Sequence, residues 1–422
     1  MSRRLHERSG LAPIRRLCQD GRNQRPLPAS QGEMTRKRIG VPFTGERVGG
    51  SHVSTCLLLQ GLDPSVYEPL ILVHGEGPVA DYLRKRSIPF VIEPLKAIES
   101  WQGGAFSRLL ASLRSSLLVR HLIRKHQLDL VHVQDHKAFQ LWVWGTRLAG
   151  RPMILHWRGP YRKTVVTRAM MRFAEHILVI SRYLQEKLPG EIRRRSELIY
   201  NPFDTAELMT NRADLRLALR KELGLAEDST VLAWIGSLDH RKQPDQFVDI
   251  VKHMNAERPF SPVTGIVCGS PGDVSEDLTW IEMLASAGRT IRMLGFRDPI
   301  TPTLAACDAL VVTAADEPFG RTVIEAMLAG VPVVAAADGG YVEALENGRT
   351  GSLVPPSDRQ AFVRAIQSLL DDPKANGEIV VAARRAARDR FSIERHVQAV
   401  EKIYRSALGM PAGIDAQRLS AE

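Results

Sequence analysis

The sequence predicts an α/β fold made of two doubly wound units, each with a parallel sheet covered by helices on both faces. Short, nearly continuous apolar runs alternate with helical patterns from residue 38 onward. This series pauses at residues 201–220 and then starts again, which indicates a second unit of the same kind. A chain of 422 residues also exceeds the size at which a single hydrophobic core stops growing, so two domains are expected.

Thirteen apolar runs are the predicted strands, with helices between most of them. The first series is RIGVPF, EPLILVHG, IPFVIEPL, LDLVHVQD, PMILHWRG, HILVISRY and SELIYNP, and the second is TVLAWIGSL, VTGIVCGS, TIRMLGF, ALVVTA, VPVVAAA and TGSLVPP. We place the N-terminal domain at residues 38–203 and the C-terminal domain at 204–395, with a hinge near 202–211. A helix and tail at 396–422 are expected to pack back toward the N-terminal domain.

The net charge of +10 is concentrated at the N-terminus. Residues 1–38 hold ten Lys or Arg and three Asp or Glu, which leaves 47 basic and 44 acidic residues in the remainder. Because the folded part is nearly balanced, the sequence does not predict a nucleic-acid-binding surface. The scattered charge, Pro and Gly of residues 1–37 predict a disordered basic tail.

The composition is typical of a globular protein, with 44% apolar and 25% charged residues. No run of about 18 apolar residues occurs, so no transmembrane helix is expected, and the Arg-rich N-terminus lacks the apolar core of a secretory signal. Cys18, Cys56, Cys268 and Cys307 show no paired spacing, which argues against a zinc site or a disulfide framework. We therefore expect free thiols and a cytoplasmic location, either in solution or peripherally on the inner face of the plasma membrane.

Ligands of open α/β sheets bind beyond the carboxyl ends of the strands, so the loops after the predicted strands are the candidate sites. The loop after the first strand contains Gly49 and Gly50, which allow close backbone approach, and a helix start that would favour an anion. A tight structural turn explains the same residues. His156 stands at the end of another strand, where a packed or solvated side chain is the alternative to a ligand role.

The stretch WIGSLDHRKQP, residues 234–244, carries the main basic loop. Gly236 and Ser237 end a predicted strand, and Arg241 and Lys242 stand just before a helix. Two cations beside a helix N-terminus can clamp a diphosphate, whereas the alternative is a solvated charge pair.

Glu317 and Glu325 are separated by seven residues in the stretch EPFGRTVIEAMLAGVPVVAAADGG. The loop at 316–320 follows a strand, and the next helix is expected to begin near Thr322. Its free N–H groups suit a diphosphate, and a carboxylate can accept from two ribose hydroxyls. The alternative for Glu325 is a capping box with Thr322, in which the glutamate bonds back to its own helix start. For Glu317 the alternative is a solvated loop acid.

The segment EPFGRTVIEAMLAGVPVVAAADGGYVEAL, followed by NGRTGSLVPPSD, closely resembles the donor-binding segment of family 4 retaining glycosyltransferases. Other motifs follow in the family's order: VGGSHVS is similar to its N-domain Gly-Gly loop, LDLVHVQDH and ILHWRG to its strand-plus-His region, LIYNPFD to its hinge and GSLDHRK to its phosphate loop. The resemblance covers most of residues 38–408. It implies the GT-B fold, in which two Rossmann-like domains face each other across a cleft.

The resemblance implies a role for each matching residue. Glu325 would hold the ribose hydroxyls, Glu317 would contact the transferred sugar, and Lys242 would neutralise diphosphate charge. The other implied contacts are the backbone of Phe319, Gly320, Arg321 and Thr322 with the diphosphate and sugar, Gly295 and Phe296 with the base, and His156 with the donor sugar. The sequence departs from the family at Ser237, where Arg often follows the glycine, and Arg241 could supply that charge.

The implied reaction is hexosyl transfer from a nucleotide diphosphate sugar, UDP- or GDP-linked, to a hydroxyl acceptor, in bacterial polysaccharide or glycolipid synthesis. Lys242, Arg241 and helix N–H groups would stabilise the charge that develops on the leaving diphosphate. No Asp-x-Asp triad occurs, so neither a metal nor another cofactor is expected. The resemblance implies retention by a front-face route, in which the leaving phosphate helps to deprotonate the acceptor.

Two other functions stay open at this point. A GT-B sugar-nucleotide epimerase would use a similar donor, although the glutamate-pair segment argues against it. A binding module without turnover would keep the cleft, and Ser237 leaves that alternative open. The basic helix at residues 108–126 could contact anionic lipid, in keeping with a lipid-linked acceptor, or could pack an apolar face containing Leu113 and Leu117 on the sheet.

Overall fold

The computed structural model describes residues 35–44, 48–95, 105–159, 165–205, 212–257, 261–269, 284 and 288–411, and within these ranges every side chain except those of 105–111, 165 and 289. The described residues from Arg36 onward belong to one compact unit. The predicted basic tail lies outside the described residues except for its last three positions, and so do Cys18 and part of the predicted hinge.

The first sheet contains seven parallel strands in the order β3-β2-β1-β4-β5-β6-β7. Its strands are β1 Lys37–Phe43, β2 Tyr67–Val73, β3 Phe90–Ile92, β4 Leu130–Val133, β5 Met153–Trp157, β6 His176–Val179 and β7 Ser196–Leu198. Its helices are α1 Gly50–Gly61, α2 Pro78–Lys85, α3 Ala105–Lys125, α4 His136–Ala149, α5 Val165–Met171, α6 Arg182–Lys187 and α7 Gly190–Arg195. The strand order reverses between β1 and β4, which is therefore the switch point where a crevice opens.

The second sheet contains six parallel strands in the order β10-β9-β8-β11-β12-β13. Its strands are β8 Thr230–Ile235, β9 Val263–Cys268, β10 Ile291–Gly295, β11 Ala309–Val312, β12 Val333–Ala336 and β13 Ser352–Val354. The helices from here to the C-terminus are α8 Arg212–Leu223, α9 Pro244–Glu257, α10 Thr301–Ala305, α11 Arg321–Ala329, α12 Gly340–Ala344, α13 Arg359–Asp371, α14 Pro373–Phe391 and α15 Ile393–Ala407. The switch point of this sheet lies between β8 and β11.

The strands form where the apolar runs predict them. Every residue of β4, β5, β11 and β12 is buried, as parallel strands covered by helices on both faces require. Helix boundaries follow local chemistry: the Asp135 side chain accepts from the Ala138 N–H at 2.8 Å to begin α4, and Gly150 ends it at a left-handed φ of 66°. All thirteen predicted strands are present, and the predicted α/β fold class is confirmed.

Helix α3 uses a different buried face from the predicted one. Leu113 and Leu117 are 53% and 57% exposed, so the expectation that they pack on the sheet is wrong. The reason is a close crossing with α4 at Gly145, where an added Cβ would lie 2.4 Å from Val119 Cβ and 2.7 Å from the Ser116 carbonyl oxygen. This contact turns the small residues of α3 inward and leaves the two leucines outside. Among the described helices, none combines the length and apolarity needed to span a bilayer.

Helix α15 returns to the first sheet. Val397, Val400, Ile403 and Tyr404 join the apolar cluster that includes residues of β1 and β2. The Tyr404 hydroxyl lies 2.7 Å from Nδ1 of His132 in β4, so the last helix also contacts a buried polar side chain of the first sheet. The predicted domain limits stay predictions.

Candidate active site

The loop after β8 and the loop after β11 meet at Glu317, on the switch point of the second sheet. Lys242 Nζ donates to Glu317 Oε2 at 2.7 Å, and Arg241 Nη1 donates to the same oxygen. The Glu317 side chain is 14% exposed, so the alternative of a solvated loop acid is wrong. Burial raises the pKa of Glu317, but the charges of Lys242 and Arg241 outweigh it and leave the pKa below its usual value. Glu317 is therefore an ionised carboxylate that holds both cations of the basic loop.

An Asp-Gly-Gly segment after β12 supports the Glu317 loop. The Gly340 N–H donates to the Glu317 carbonyl oxygen at 2.8 Å. An added Cβ at Gly339 would lie 2.5 Å from that oxygen, and one at Gly340 would lie 2.7 Å from Phe319 Cα. Gly339 also has a left-handed φ of 61°. This support was not predicted from the sequence, where its signal is a Gly-Gly pair directly after a buried strand.

The helix that carries Glu325 begins at Arg321, with Gly320 as its N-cap and no side-chain cap. Thr322 is thus the second helical residue, and the predicted capping box between Thr322 and Glu325 is wrong. The cause is the tight turn at Gly320, where φ is 85° and an added Cβ would lie 2.4 Å from the Tyr341 ring. Freed from a capping role, Glu325 faces Arg321, whose Nη2 lies 3.4 Å from Glu325 Oε1.

Arg321 also connects the two sheets. Its Nη1 donates to Ser54 Oγ on α1 at 2.7 Å, and its guanidinium lies 4.3 Å from the centre of the Phe203 ring. An added Cβ at Gly50 would lie 2.4 Å from Arg321 Cδ, so a larger residue there would displace the Arg321 side chain. A Cβ added at Gly49, the N-cap of α1, would have no described atom within 4 Å. The structure therefore brings Gly50, Arg321 and Glu325 together at the cleft.

The predicted base-framing loop and the basic loop meet at Gly269. The Gly236 N–H donates to the Cys268 carbonyl at 3.0 Å, and the Gly269 N–H donates to the Gly295 carbonyl at 2.9 Å. An added Cβ at Gly269 would lie 1.8 Å from the Gly236 carbonyl oxygen, a constraint that was not predicted from the sequence. Phe296 is 69% exposed, so its ring is open to stack on a base.

Among the described residues, Ser237 forms hydrogen bonds only within its own turn. Its Oγ donates to Asp239 Oδ2 at 2.5 Å, and Asp239 Oδ1 accepts from the Lys242 N–H at 3.1 Å. Ser237 thus adds no positive charge to the basic loop. Arg241 lies beside Lys242, and both side chains form ion pairs with Glu317. The proposed compensation for Ser237 by Arg241 stays a prediction.

His156 lies inside the first domain, in the middle of a stack of histidine rings. Its ring centre is 5.6 Å from that of His132 and 5.9 Å from that of His396, with nearly parallel planes. Arg158 Nη2 donates to His156 Nδ1 at 3.1 Å. Burial, together with the charge of Arg158, holds the pKa of His156 well below its usual value, so the ring is neutral. A contact of His156 with a donor sugar stays a prediction.

Comparison with known proteins decides the family. Residues 216–386 match the family model described as "Glycosyl transferases group 1", and residues 48–207 match "Glycosyltransferase Family 4", so the two matches together cover well over half of the chain. The chain belongs to the family 4 glycosyltransferases. The predicted family is confirmed.

Curated relatives match part of the chain. It is 31% identical over 204 residues to the D-inositol 3-phosphate glycosyltransferase of Streptomyces avermitilis, covering 46% of this chain and 44% of the relative. It is 34% identical over 200 residues to the enzyme of the same name from Geodermatophilus obscurus, with the same two shares of 46% and 44%. The chain therefore spans less than half the length of these relatives.

Solved structures show the fold over nearly the whole chain. Anabaena Alr3699/HepE in complex with UDP and glucose gives a TM-score of 0.74 at 24% identity, covering 88% of this chain and 100% of that chain. Sucrose-phosphate synthase from Thermosynechococcus elongatus gives 0.67 at 19% identity, covering 89% and 100%. These likenesses confirm the predicted GT-B architecture of two Rossmann-like domains.

Proposed function

We propose that the protein transfers a sugar from a nucleotide diphosphate sugar to a hydroxyl acceptor. The observation that carries the proposal is the meeting of Lys242 and Arg241 on Glu317, at the switch point and beside the start of α11. Family membership supports the reaction class. The solved Anabaena relative, in complex with UDP-glucose in one structure, supports a UDP-linked donor, with GDP as the alternative base.

The leaving nucleotide diphosphate gains negative charge as the sugar bond breaks. Lys242 is already oriented by Glu317, and the first N–H groups of α11 have no partner within the helix, so both are placed to stabilise that charge. One preorganised donor of this kind contributes about 2.7–4 kcal/mol to the transition state. We propose a reaction without a metal, because these groups supply the positive charge that a divalent cation would otherwise provide.

Retention by a front-face route is the stereochemical part of the proposal. Glu317 is engaged by two cations, and its lowered pKa makes it a weak base and a weak nucleophile. A double displacement through this carboxylate would first have to break both ion pairs. We therefore assign deprotonation of the acceptor to an oxygen of the leaving phosphate and leave Glu317 as a contact for the sugar.

A lipid-linked acceptor, as in bacterial polysaccharide or glycolipid synthesis, is supported by the outer side of α3. Leu113, Leu117 and Leu118 are exposed there, among the exposed basic residues Arg114 and Arg124. Apolar side chains framed by cations match an anionic membrane surface. We propose that this side of α3 contacts the inner face of the plasma membrane.

The test is a panel of UDP-, GDP- and ADP-sugars, offered with hydroxyl acceptors and followed by thermal shift and by analysis of all products. Release of the nucleotide together with a glycosylated acceptor supports the proposal, and Lys242→Met should lower that rate. An isomerised donor with no transfer would identify an epimerase instead. Tight nucleotide binding without release above background would identify a binding module.

A further inference from the structure

Three hydrogen-bond donors, two of them buried, lie at the switch point of the first sheet, on the opposite side of the cleft from Lys242. His52 belongs to α1, which follows β1, while Gln134 follows β4 and Arg158 follows β5. These strands are neighbours in the order β1-β4-β5, so the three side chains stand at one edge of the sheet. Crevices of this kind are where open α/β sheets bind their ligands.

His52 carries a proton that nothing described accepts. Its Nδ1 accepts from the Gly49 N–H at 3.1 Å, so the neutral ring holds its hydrogen on Nε2. The side chain is buried, and Nε2 has no partner among the described residues. A buried donor without an acceptor is unfavourable, and an oxygen of a ligand would satisfy it.

Gln134 presents a second donor of the same kind. Arg158 Nε donates to Gln134 Oε1 at 3.0 Å, and because arginine cannot accept, this bond fixes which end of the amide is oxygen. The opposite end, Nε2, is therefore an NH₂ group. It is fully buried, and none of the described residues offers it an acceptor.

Arg158 brings a positive charge that no described carboxylate pairs with. Its three hydrogen bonds go to neutral acceptors, Gln134 Oε1, Asn201 Oδ1 and His156 Nδ1, which leaves two of its five N–H groups. Burial and then the charge of Arg321 lower the pKa of Arg158 to about 9, so it stays a cation at neutral pH. Arg321 has Glu325 as its counter-ion, whereas Arg158 has none in the described part of the chain.

We propose that His52, Gln134 and Arg158 bind a phosphate-type anion carried by the acceptor substrate. Such an anion offers several oxygens to the donors at this edge and supplies the missing counter-charge. The donor diphosphate is a second source of the same chemistry, but it has its own cations, Lys242 and Arg241, on the other sheet. The assignment to the acceptor rests on the proposed transferase function, while the anion site itself does not.

The test uses inorganic phosphate as the probe, titrated into the protein by calorimetry at constant ionic strength, with and without saturating UDP. Gln134→Glu keeps the side-chain shape but places a carboxylate against Arg158, so phosphate affinity should fall at least about tenfold. His52→Phe keeps a ring beside Phe43, which His52 now contacts at 4.5 Å between ring centres, and removes one donor. The UDP-induced thermal shift of both variants should match that of the wild type, which verifies folding.

The two sources of the anion give different results. Phosphate that still binds in the presence of UDP, and in Lys242→Met, identifies an acceptor-side site. Phosphate that is displaced by UDP assigns these residues to the donor and overturns the proposal. No phosphate binding by the wild type, or equal binding by Gln134→Glu, overturns it as well, because ordered water would then satisfy the donors. A protein that binds phosphate but no nucleotide would refute the transferase function and leave the anion site intact.

Discussion

Arg321 joins the proposed ribose carboxylate to the opposite domain: one nitrogen donates to Ser54 Oγ at 2.7 Å and the other lies 3.4 Å from Glu325 Oε1. The position of Glu325 therefore depends on a contact that crosses the cleft. A nucleotide bound by Glu325 and the contact between α1 and α11 should stabilise each other through this one guanidinium.

Arg321→Leu should weaken UDP binding, because Glu325 loses the cation that orients it and α1 loses its contact with α11. Calorimetry should show a loss of about tenfold, the size of one hydrogen bond to a charged group. Ser54→Ala is the matched control, since it removes only the contact across the cleft and should have a smaller effect. Unchanged UDP affinity in Arg321→Leu would contradict the coupling.

Glu325→Gln tests the ribose contact directly. The variant should bind UDP about 10–100-fold more weakly, because hydrogen bonds to a charged acceptor contribute about 1.5–3 kcal/mol. The sharper comparison uses 2′-deoxy-UDP, which lacks one of the two hydroxyls. Wild type should discriminate between the two nucleotides, and Glu325→Gln should lose most of that difference. Equal discrimination by both proteins would remove Glu325 from the ribose site.

Glu317→Gln should separate nucleotide affinity from turnover. Without the carboxylate, Lys242 and Arg241 lose their counter-ion, and the free energy of unfolding should fall by about 1–3 kcal/mol. The loss is smaller than for a fully buried ion pair because the Arg241 side chain is 39% exposed. UDP should then restore more stability than it gives the wild type, because its diphosphate no longer competes with Glu317. Sugar transfer should fall at the same time. Weaker UDP binding by this variant would contradict competition for the same cations.

Five buried histidines predict a loss of stability in mild acid. They are His52, His74, His132, His156 and His396. Burial lowers the pKa of each histidine, to about 4 for His52 and His74 and to about 3 for His396. A histidine in the unfolded chain has a pKa of about 6.5, so below that pH the unfolded chain binds more protons than the folded one. Their stabilising effect is complete above that pH and is lost as the pH falls toward the folded values, by up to about 1.4 kcal/mol per pH unit for each histidine.

His74→Gln isolates one contribution to this slope. His74 Nε2 accepts from Trp142 Nε1 at 2.9 Å and Nδ1 lies 3.3 Å from the Glu93 carbonyl, two contacts that a glutamine amide can imitate without titrating. Denaturant unfolding between pH 4.5 and 6.5 should give a shallower pH slope, by up to about 1.4 kcal/mol per pH unit. A slope unaffected by His74→Gln would show that this ring is already charged.

The sequence predicted the architecture because the strands are locally determined. β4 and β11 are apolar at nearly every position, and that pattern needs no knowledge of distant contacts. The face of α3 could not be predicted in the same way, since it depends on how closely α4 approaches at Gly145. The pattern of leucines alone pointed to the other face.

Site residues that belong to one short motif could be predicted from the sequence. Contacts between residues of separate segments could not. Glu317 and Lys242 belong to motifs with recognisable spacing, but their direct contact spans 75 positions of sequence. The sequence pattern matches a capping box between Thr322 and Glu325, but the turn at Gly320 starts the helix one residue earlier, at Arg321, so the box does not form. His52, Gln134 and Arg158 come from three segments, and only the order β1-β4-β5 brings them to one edge.

The outer side of α3 should bind anionic membranes through Leu113 and Leu117. Each buried leucine contributes about 1.5–3 kcal/mol, so the double variant Leu113→Gln/Leu117→Gln should lose most of its sedimentation with vesicles containing phosphatidylserine. Val381→Gln, an exposed apolar residue on α14 in the second half of the chain, is the matched control and should bind as the wild type does. Because both leucines are largely outside the core, the melting temperature should not fall in the double variant. Equal sedimentation of all three proteins, or binding that does not depend on anionic lipid, would contradict a membrane role for α3.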